Sequence, residues 1–470
     1  MAAIVPFLAR HRTRIAIALL FAAGAAIRVH NALGYWVNNG FDGPFNWEYV
    51  RQLTTDWSLP DPQAHWSAAR PPFFFYAGAV LARVFGPGPA RSVWAIRLAS
   101  SALGLVAIAL VARHVARSEP DAARRGLRTA VAAGLLLFLP AHLELSAMLN
   151  EEITVASLGT IALLLAVAPA ARADAGARAR DGHGAPIGIA RAAAIGALGG
   201  LAFLTKLTGC LVVVAVVAAL VVDGVRRRAL RASLVRAAVV AGVALAVGGW
   251  FYARSLALHG YLYPHALPAH AAMLDLPPGE RGVGDYLRFP LATFANPRVD
   301  APELLHSVWG GTYATLWFDG QRHFVPRSHP NVARAGLAIT LLALLPTAAF
   351  AVGATRAARR ALRAAGTADA PMLALVALTL AGYVLFTWRN PWYVTVKGSY
   401  LLGLALPFAA WSSEVLVDWM RGPRWRTAAV GGALVALAAA CALAFTWGTP
   451  LWTMTFGVDL PGLRTVPVGG

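Results

Sequence analysis

A few charged side chains, each set at the end of an apolar run, are the residues in this sequence able to do chemistry. Asp42 lies in Phe41-Asp42-Gly43-Pro44, a few residues beyond the first apolar run. A carboxylate held in such a turn can take a proton as a general base, although Asp-Gly is also an ordinary turn pair. Arg70 precedes Pro71-Pro72, which stiffen the backbone and aim a guanidinium suited to phosphate; its bland alternative is snorkelling to the interface. Asn150-Glu151-Glu152 opens another apolar run. The two carboxylates there can complement a helix dipole, hold a hydroxyl group, or, either one acting with Asp42, bind a divalent cation, while Asn150 suits an N-cap. Of the 41 basic residues only Lys206 and Lys397 are lysines, and a compact ammonium beside an apolar run fits phosphate or carboxylate, unless chance put both there.

The surroundings of these residues are those of a membrane protein. The chain has 470 residues, 58% hydrophobic and 13% charged, with a mean hydropathy of +0.58. About 25% charge is usual for soluble domains, so a soluble enzyme and a disordered chain are both excluded. A net charge of +19 would suggest nucleic acid in a soluble protein, but here long apolar runs separate the charges, and no nucleic-acid partner is expected. Cys210 and Cys441 both sit inside apolar runs, which removes disulfide frameworks and zinc sites.

The elements that must position the charged groups are therefore membrane helices. About eleven stretches are candidates to cross roughly 30 Å of hydrocarbon: 14–34, 92–112, 129–147, 153–170, 192–205, 208–223, 237–254, 335–354, 371–387, 400–418 and 428–447. The run 192–222 is too long for one span, and Lys206 divides it. Arginine clusters before the first span and around 113–128, 172–191, 226–236, 356–363 and 421–426 all fall on one side, which the positive-inside rule makes cytoplasmic, with the N-terminus. The basic start followed by 15–27 also fits a signal peptide, but the run continues past Arg28. Segment 71–86 is short and carries Arg83, so it reads as a helix in the outer interface. Two outer loops are long, 35–91 and 255–334. The first contains Asn46-Trp47-Glu48-Tyr49-Val50-Arg51, a short amphipathic helix with Glu48 as a further candidate contact. The second reads as a folded cap rich in His (259, 265, 270, 306 and 323) without metal-ligand spacing. The outer tryptophans suit an aromatic belt or sugar stacking.

Several motifs, in order, resemble the GT-C glycosyltransferases, in particular the protein O-mannosyltransferase-like group with the aminoarabinose transferase. They are Asp42 with Tyr49-Val50, Leu59-Pro60 and Pro71-Pro72…Phe75-Tyr76; Arg97-Leu98-Ala99-Ser100-Ser101-Ala102-Leu103; Asn150-Glu151; Gly200-Leu201-Ala202-Phe203-Leu204-Thr205-Lys206; Trp250-Phe251-Tyr252-Ala253-Arg254; and Lys397-Gly398-Ser399-Tyr400. The resemblance implies an all-α polytopic fold with a catalytic module over 1–260, the cap over 255–334, and C-terminal helices with an outer tail over 335–470. It implies an inverting enzyme, a hexosyl- or pentosyltransferase, moving a sugar from a polyprenyl-phosphate donor to a lipid, glycan or protein acceptor at the periplasmic or extracellular face of the cytoplasmic (inner) membrane. Asp42 matches the family's base, Arg70 its phosphate contact and Glu151 or Glu152 its second acid, while Lys206, Arg254, Lys397 and Tyr400 are further substrate contacts. Three departures stand out: Gly43 replaces an acid common after the first aspartate, Arg70 replaces Lys or His, and Ser399 replaces Arg. A flippase for lipid-linked sugars, or a non-catalytic member of an envelope glycan complex, are the alternatives.

Overall fold

A computed structural model of the chain describes residues 4–86, 88–167, 187–263, 276–326, 329–364 and 368–458. Arg172, Arg178, Arg180, His265 and His270 lie outside the described residues. Helices account for the regular structure, and no strand occurs among the described residues. Hydrocarbon offers no partner for free N–H and C=O groups, so apolar runs satisfy them within helices. The chain is a multi-pass membrane protein.

In the first half, α1 (Ile4–Gly34) is followed by α2 (Gly43–Asp56), α3 (Phe73–Phe85), α4 (Pro89–Ser118) and α5 (Ala122–Leu137). Next come α6 (Pro140–Ala147), α7 (Glu152–Val167), α8 (Ile189–Thr205) and α9 (Cys210–Arg226). Then α10 (Leu230–His259) contains a π turn at Leu245–Gly249. In the second half, α11 (Val308–Trp317) precedes α12 (Pro330–Arg363), α13 (Asp369–Arg389), α14 (Ala405–Trp419), α15 (Arg424–Ala444) and α16 (Pro450–Phe456).

The expected number of spans needs correction. A helix forms at each of the eleven expected positions, but among the described residues eight are long and apolar enough to cross alone, or nine if α5 and α6, bent by 49° where Pro140 interrupts them, count as one. Of the remaining two, α7 has 16 described residues and α8 has 17. At about 1.5 Å per residue α8 falls short of a full span. The division at Lys206 is present: Lys206 is extended between α8 and a short 3-10 turn leading into α9. Segment 71–86 forms α3, whose 13 residues reach only about 20 Å. The loop expected as a cap does not stand apart, because α11 is buried and Trp317, Phe318 and Phe324 join the main core with Trp411 and Trp452.

Breaks in helices expose carbonyls, and buried arginines cover them. Arg28, fully buried on α1, donates from Nη1 to the Leu137 carbonyl at 3.0 Å, freed at the α5–α6 bend, and its Nη2 lies 3.0 Å from His142 Nδ1. Arg97 on α4 donates to the Tyr35 carbonyl at 2.7 Å just past α1. At the arginine-rich ends of the helices, Asp418 accepts from Arg124 and Arg356, and Asp369 accepts from Arg360 and Trp411, tying α5, α12, α13 and α14 together. Asp42, Glu151 and Lys206 stand at the opposite ends of α1, α7 and α9 from these clusters.

Arg28→Met keeps an apolar stem but leaves the Leu137 carbonyl without its donor. A loss of about 1–3 kcal/mol is expected, read as a lower thermal midpoint in detergent. An unchanged midpoint would show that Arg28 is not the group that satisfies the bend.

Candidate active site

Asp42 is placed by an unusual backbone. It sits at φ +52 between the 3-10 turn Val37–Asn39 and α2, where it occupies the N-cap position without using its side chain as a cap. The carboxylate is thereby free to turn away from α2. Gly43 is required next to it, because a Cβ there would lie 2.1 Å from the Val37 carbonyl oxygen. The acid missing from this position has no room.

The carboxylate of Asp42 accepts from Arg70 Nη2 at 2.5 Å, and Nη1 of the same guanidinium reaches both oxygens of Glu151 at 3.2 Å. Arg70 is aimed by the turn that precedes α3: its N–H donates to the Ser67 carbonyl and its carbonyl accepts from Tyr49. Asn46, on the first turn of α2 and fully buried, completes the anchor. Its Oδ1 accepts from Ser67 Oγ at 2.7 Å and from Arg70 at 3.3 Å, while its Nδ2 donates to the Leu149 carbonyl at 2.7 Å. Sequence reading passed over Asn46 as part of an amphipathic helix; its place one turn after Asp42 was the available signal.

The network continues through Lys206, whose Nζ donates to Glu152 Oε1 at 2.5 Å and lies 3.7 Å from Glu151 Oε1. The Tyr400 ring lies 4.9 Å from the same ammonium, and Ser399 Oγ donates to Glu152 at 3.4 Å. Carboxylates and cations thus alternate from Asp42 through Arg70, Glu151 and Lys206 to Glu152. Lys397 stands beside this chain without joining it. Its Nζ lies 4.2 Å from the centre of the Phe41 ring and has no hydrogen-bond or ion-pair partner among the described residues.

Residues 69–251 match the model of the dolichyl-phosphate-mannose-protein mannosyltransferase family. The archaeal oligosaccharyltransferase AglB from Archaeoglobus fulgidus, solved with an inhibitory peptide and a dolichol-phosphate, superposes with a TM-score of 0.51 at 14% identity, covering 94% of this chain and 56% of its own. The fold is that of the GT-C superfamily. ArnT from Cupriavidus metallidurans bound to undecaprenyl phosphate gives a TM-score of 0.47 at 15% identity, covering 91% of this chain and 76% of that one. The chain spans little more than half the length of the oligosaccharyltransferase. No curated protein matches the sequence.

Within the GT-C fold, the matched segment carries Arg70, Glu151, Glu152 and Lys206, while Asp42 and Lys397 reach the same place from outside it. Two expected contacts lie elsewhere. Glu48 is exposed and paired with Arg51 one turn on, at 2.6 Å. Arg254 faces a separate cavity with Tyr49, Leu59, Pro60 and His259, because α10 turns it away from the Lys206 side. Asn150 does not cap α7 directly; it stands two residues before the first helical residue, and its Oδ1 accepts from Glu152 N at 3.1 Å while its amide nitrogen is buried without a partner. The Arg70 guanidinium lies between Asp42 and Glu151, the two acids expected to hold a divalent cation if one binds. No group of three or more metal-binding side chains occurs among the described residues.

Burial alone would push the carboxyls of Asp42 and Glu151 up. The neighbouring cations together outweigh it, Arg70 first among them with Lys397 for Asp42 and Lys206 for Glu151, and hold both carboxyls below the usual carboxylate range. Their stabilising contribution is therefore present above the unfolded value of about 4 and is lost as pH falls through the folded values. In Arg70→Gln burial loses its main opponent, so the folded values rise and the sign reverses: stability is then lost as pH rises. The gap in thermal midpoint between this variant and the parent should widen from about pH 4 to about pH 7. A gap independent of pH would mean that Arg70 does not hold these charges.

Proposed function

We propose that the protein is an inverting glycosyltransferase that moves a sugar from a polyprenyl phosphate to an acceptor hydroxyl. One observation carries the reading: the alternating carboxylates and cations stand at the head of an apolar slot. The slot is a narrow groove between α7, α9 and α13, lined by Glu152, Ser399 and Tyr400 and by the apolar Val155, Ala156, Leu211, Val212 and Leu375. An isoprenoid chain suits such a slot, and its phosphate would then meet Lys206 and Arg70. The family matched over 69–251 takes its name from a dolichyl-phosphate sugar donor, and the superposed oligosaccharyltransferase was solved with a dolichol-phosphate.

In the proposed reaction Asp42 accepts the proton of the acceptor hydroxyl while that oxygen attacks the anomeric carbon. The bond from this carbon to the phosphate oxygen breaks, its electron pair leaves with the polyprenyl phosphate, and Arg70 and Lys206 stabilise the charge that develops there. Direct displacement by the acceptor inverts the configuration. Asp42 is ionised and so able to accept a proton, yet Arg70 depresses its basicity. A donor phosphate competes for the same guanidinium, so donor binding loosens that hold as the base is needed. The arginine clusters sit at the helix ends opposite this site, which supports an active site on the outer face of the cytoplasmic membrane.

Asp42→Asn should leave folding and polyprenyl-phosphate binding intact while lowering sugar transfer by at least about 10²-fold. The measurement is release of polyprenyl phosphate from a panel of polyprenyl-phosphate sugars by the protein in lipid nanodiscs. Undiminished release by the variant would end the assignment of Asp42 as base. Movement of intact donor across a bilayer without release would favour a flippase.

A further inference from the structure

Next to the Asp42–Arg70 pair lies a second pair of acids that the reaction above does not use. Glu144 on α6 and Asp319, just beyond α11, are 4% and 1% exposed. Asp319 accepts three backbone N–H bonds, from His323 at 3.0 Å and from Phe324 and Val325 at 2.7 Å each. The Glu144 carboxyl group faces that of Asp319. Two buried carboxyl groups side by side are tolerable only if one carries a proton, and Asp319, already surrounded by donors, holds the charge. Glu144 is then the acid that carries the proton. Beyond Asp319 it has no partner among the described residues, so its other oxygen remains a buried, unused acceptor.

Glu144 borders a small cavity, with room for about one water-sized group, lined by Phe41, Glu144, Asp319, Gln321, Lys397 and Ser399. Lys397 supplies an ammonium without a partner, and Phe41 joins the cavity to Asp42 through the backbone. The wall behind Lys397 is rigid: Gly398 N donates to Thr315 Oγ1 at 2.7 Å, and a Cβ on Gly398 would lie 2.5 Å from the Leu316 backbone. The space is far below the ~300–1,000 Å³ of whole-ligand sites, so it admits a single hydroxyl of a ligand. Its charges balance, with the Lys397 ammonium against the Asp319 carboxylate and Glu144 neutral. One free donor and one free acceptor suit a neutral hydroxyl, which needs both.

We propose that this cavity receives one hydroxyl group of the donor sugar, and that Glu144 and Lys397 select the sugar by where that hydroxyl stands. The proposal rests on the polyprenyl-phosphate sugar reading above. It assigns Lys397 to the sugar and leaves the phosphate to Arg70 and Lys206.

The test measures binding, so it does not depend on turnover. Full-length protein in nanodiscs is titrated with undecaprenyl-phosphate mannose, glucose, galactose and arabinose, and with undecaprenyl phosphate alone. The parent should favour one sugar over an analogue differing at a single hydroxyl by about tenfold or more. Glu144→Leu and Lys397→Met should each erase that preference without weakening undecaprenyl phosphate itself. Glu144→Gln, which can still donate to Asp319 and offer an oxygen to the cavity, should restore it. Equal binding of all sugars by the parent, or a uniform loss across sugars and the bare lipid phosphate in the variants, would overturn the proposal. So would a Gln variant that behaves like Leu. Should Glu144→Leu fail to fold, Lys397→Met carries the same comparison. Transfer by Asp42→Asn would defeat the base assignment alone and leave this binding result standing.

Discussion

The guanidinium of Arg70 is the contact on which the site depends. It binds Asp42 from the loop after α1 and Glu151 from the start of α7, two segments with no other ion pair between them among the described residues. A buried cation needs partners because desolvation is otherwise unopposed, and two carboxylates this close need a cation for the same reason. Each of the three is tolerable only with the others. The arrangement fixes the strained turn at Asp42, orients the first loop through Asn46 and Ser67, and presents Glu152 to Lys206 at the next step. Removing Arg70 would therefore disturb geometry as well as charge.

The same economy of polar groups runs through the helical body. Where α5 gives way to α6 and where α1 ends, carbonyls lose their helical donors, and Arg28 and Arg97 reach in to replace them. These arginines are buried for the sake of the backbone, whereas Arg70 and Lys206 are buried for the sake of carboxylates. A charged side chain in an apolar surround thus marks a break in a helix as readily as it marks chemistry.

This explains what could and could not be read from the sequence. In a chain with so few charges, Asp42, Arg70, Glu151, Glu152 and Lys206 stood out by position, and the structure brings all five together. Arg254 stood out equally, yet the direction α10 gives its side chain takes it to another cavity, and direction depends on helix packing that no motif records. Glu48 lay one turn along α2 from the buried face. Glu144 and Asp319 were passed over because each looks unexceptional in its segment; only the approach of α6 to the end of α11 makes them a pair. The fold class followed from apolar length, but the number of spans did not. A helix of 17 residues such as α8 has the hydropathy of a span without its length.

Where α7 begins and α8 ends bears on the chemistry. Because α7 begins at Glu152 and α8 ends at Thr205, the carboxylates and Lys206 sit where the ends of two helices meet, beside Tyr400 and Ser399. Charges attract more strongly in such a setting than at an exposed surface, which is why an alternating chain of acids and bases can persist there in place of a hydrated cluster. A phosphate entering the proposed slot would exchange one anionic partner for another at Arg70 and Lys206, so the cations need not be desolvated anew. Asp319 and Lys397, though not in contact as an ion pair, balance in charge around the neighbouring cavity, and a group entering it would be sorted by hydrogen-bond geometry instead of by sign.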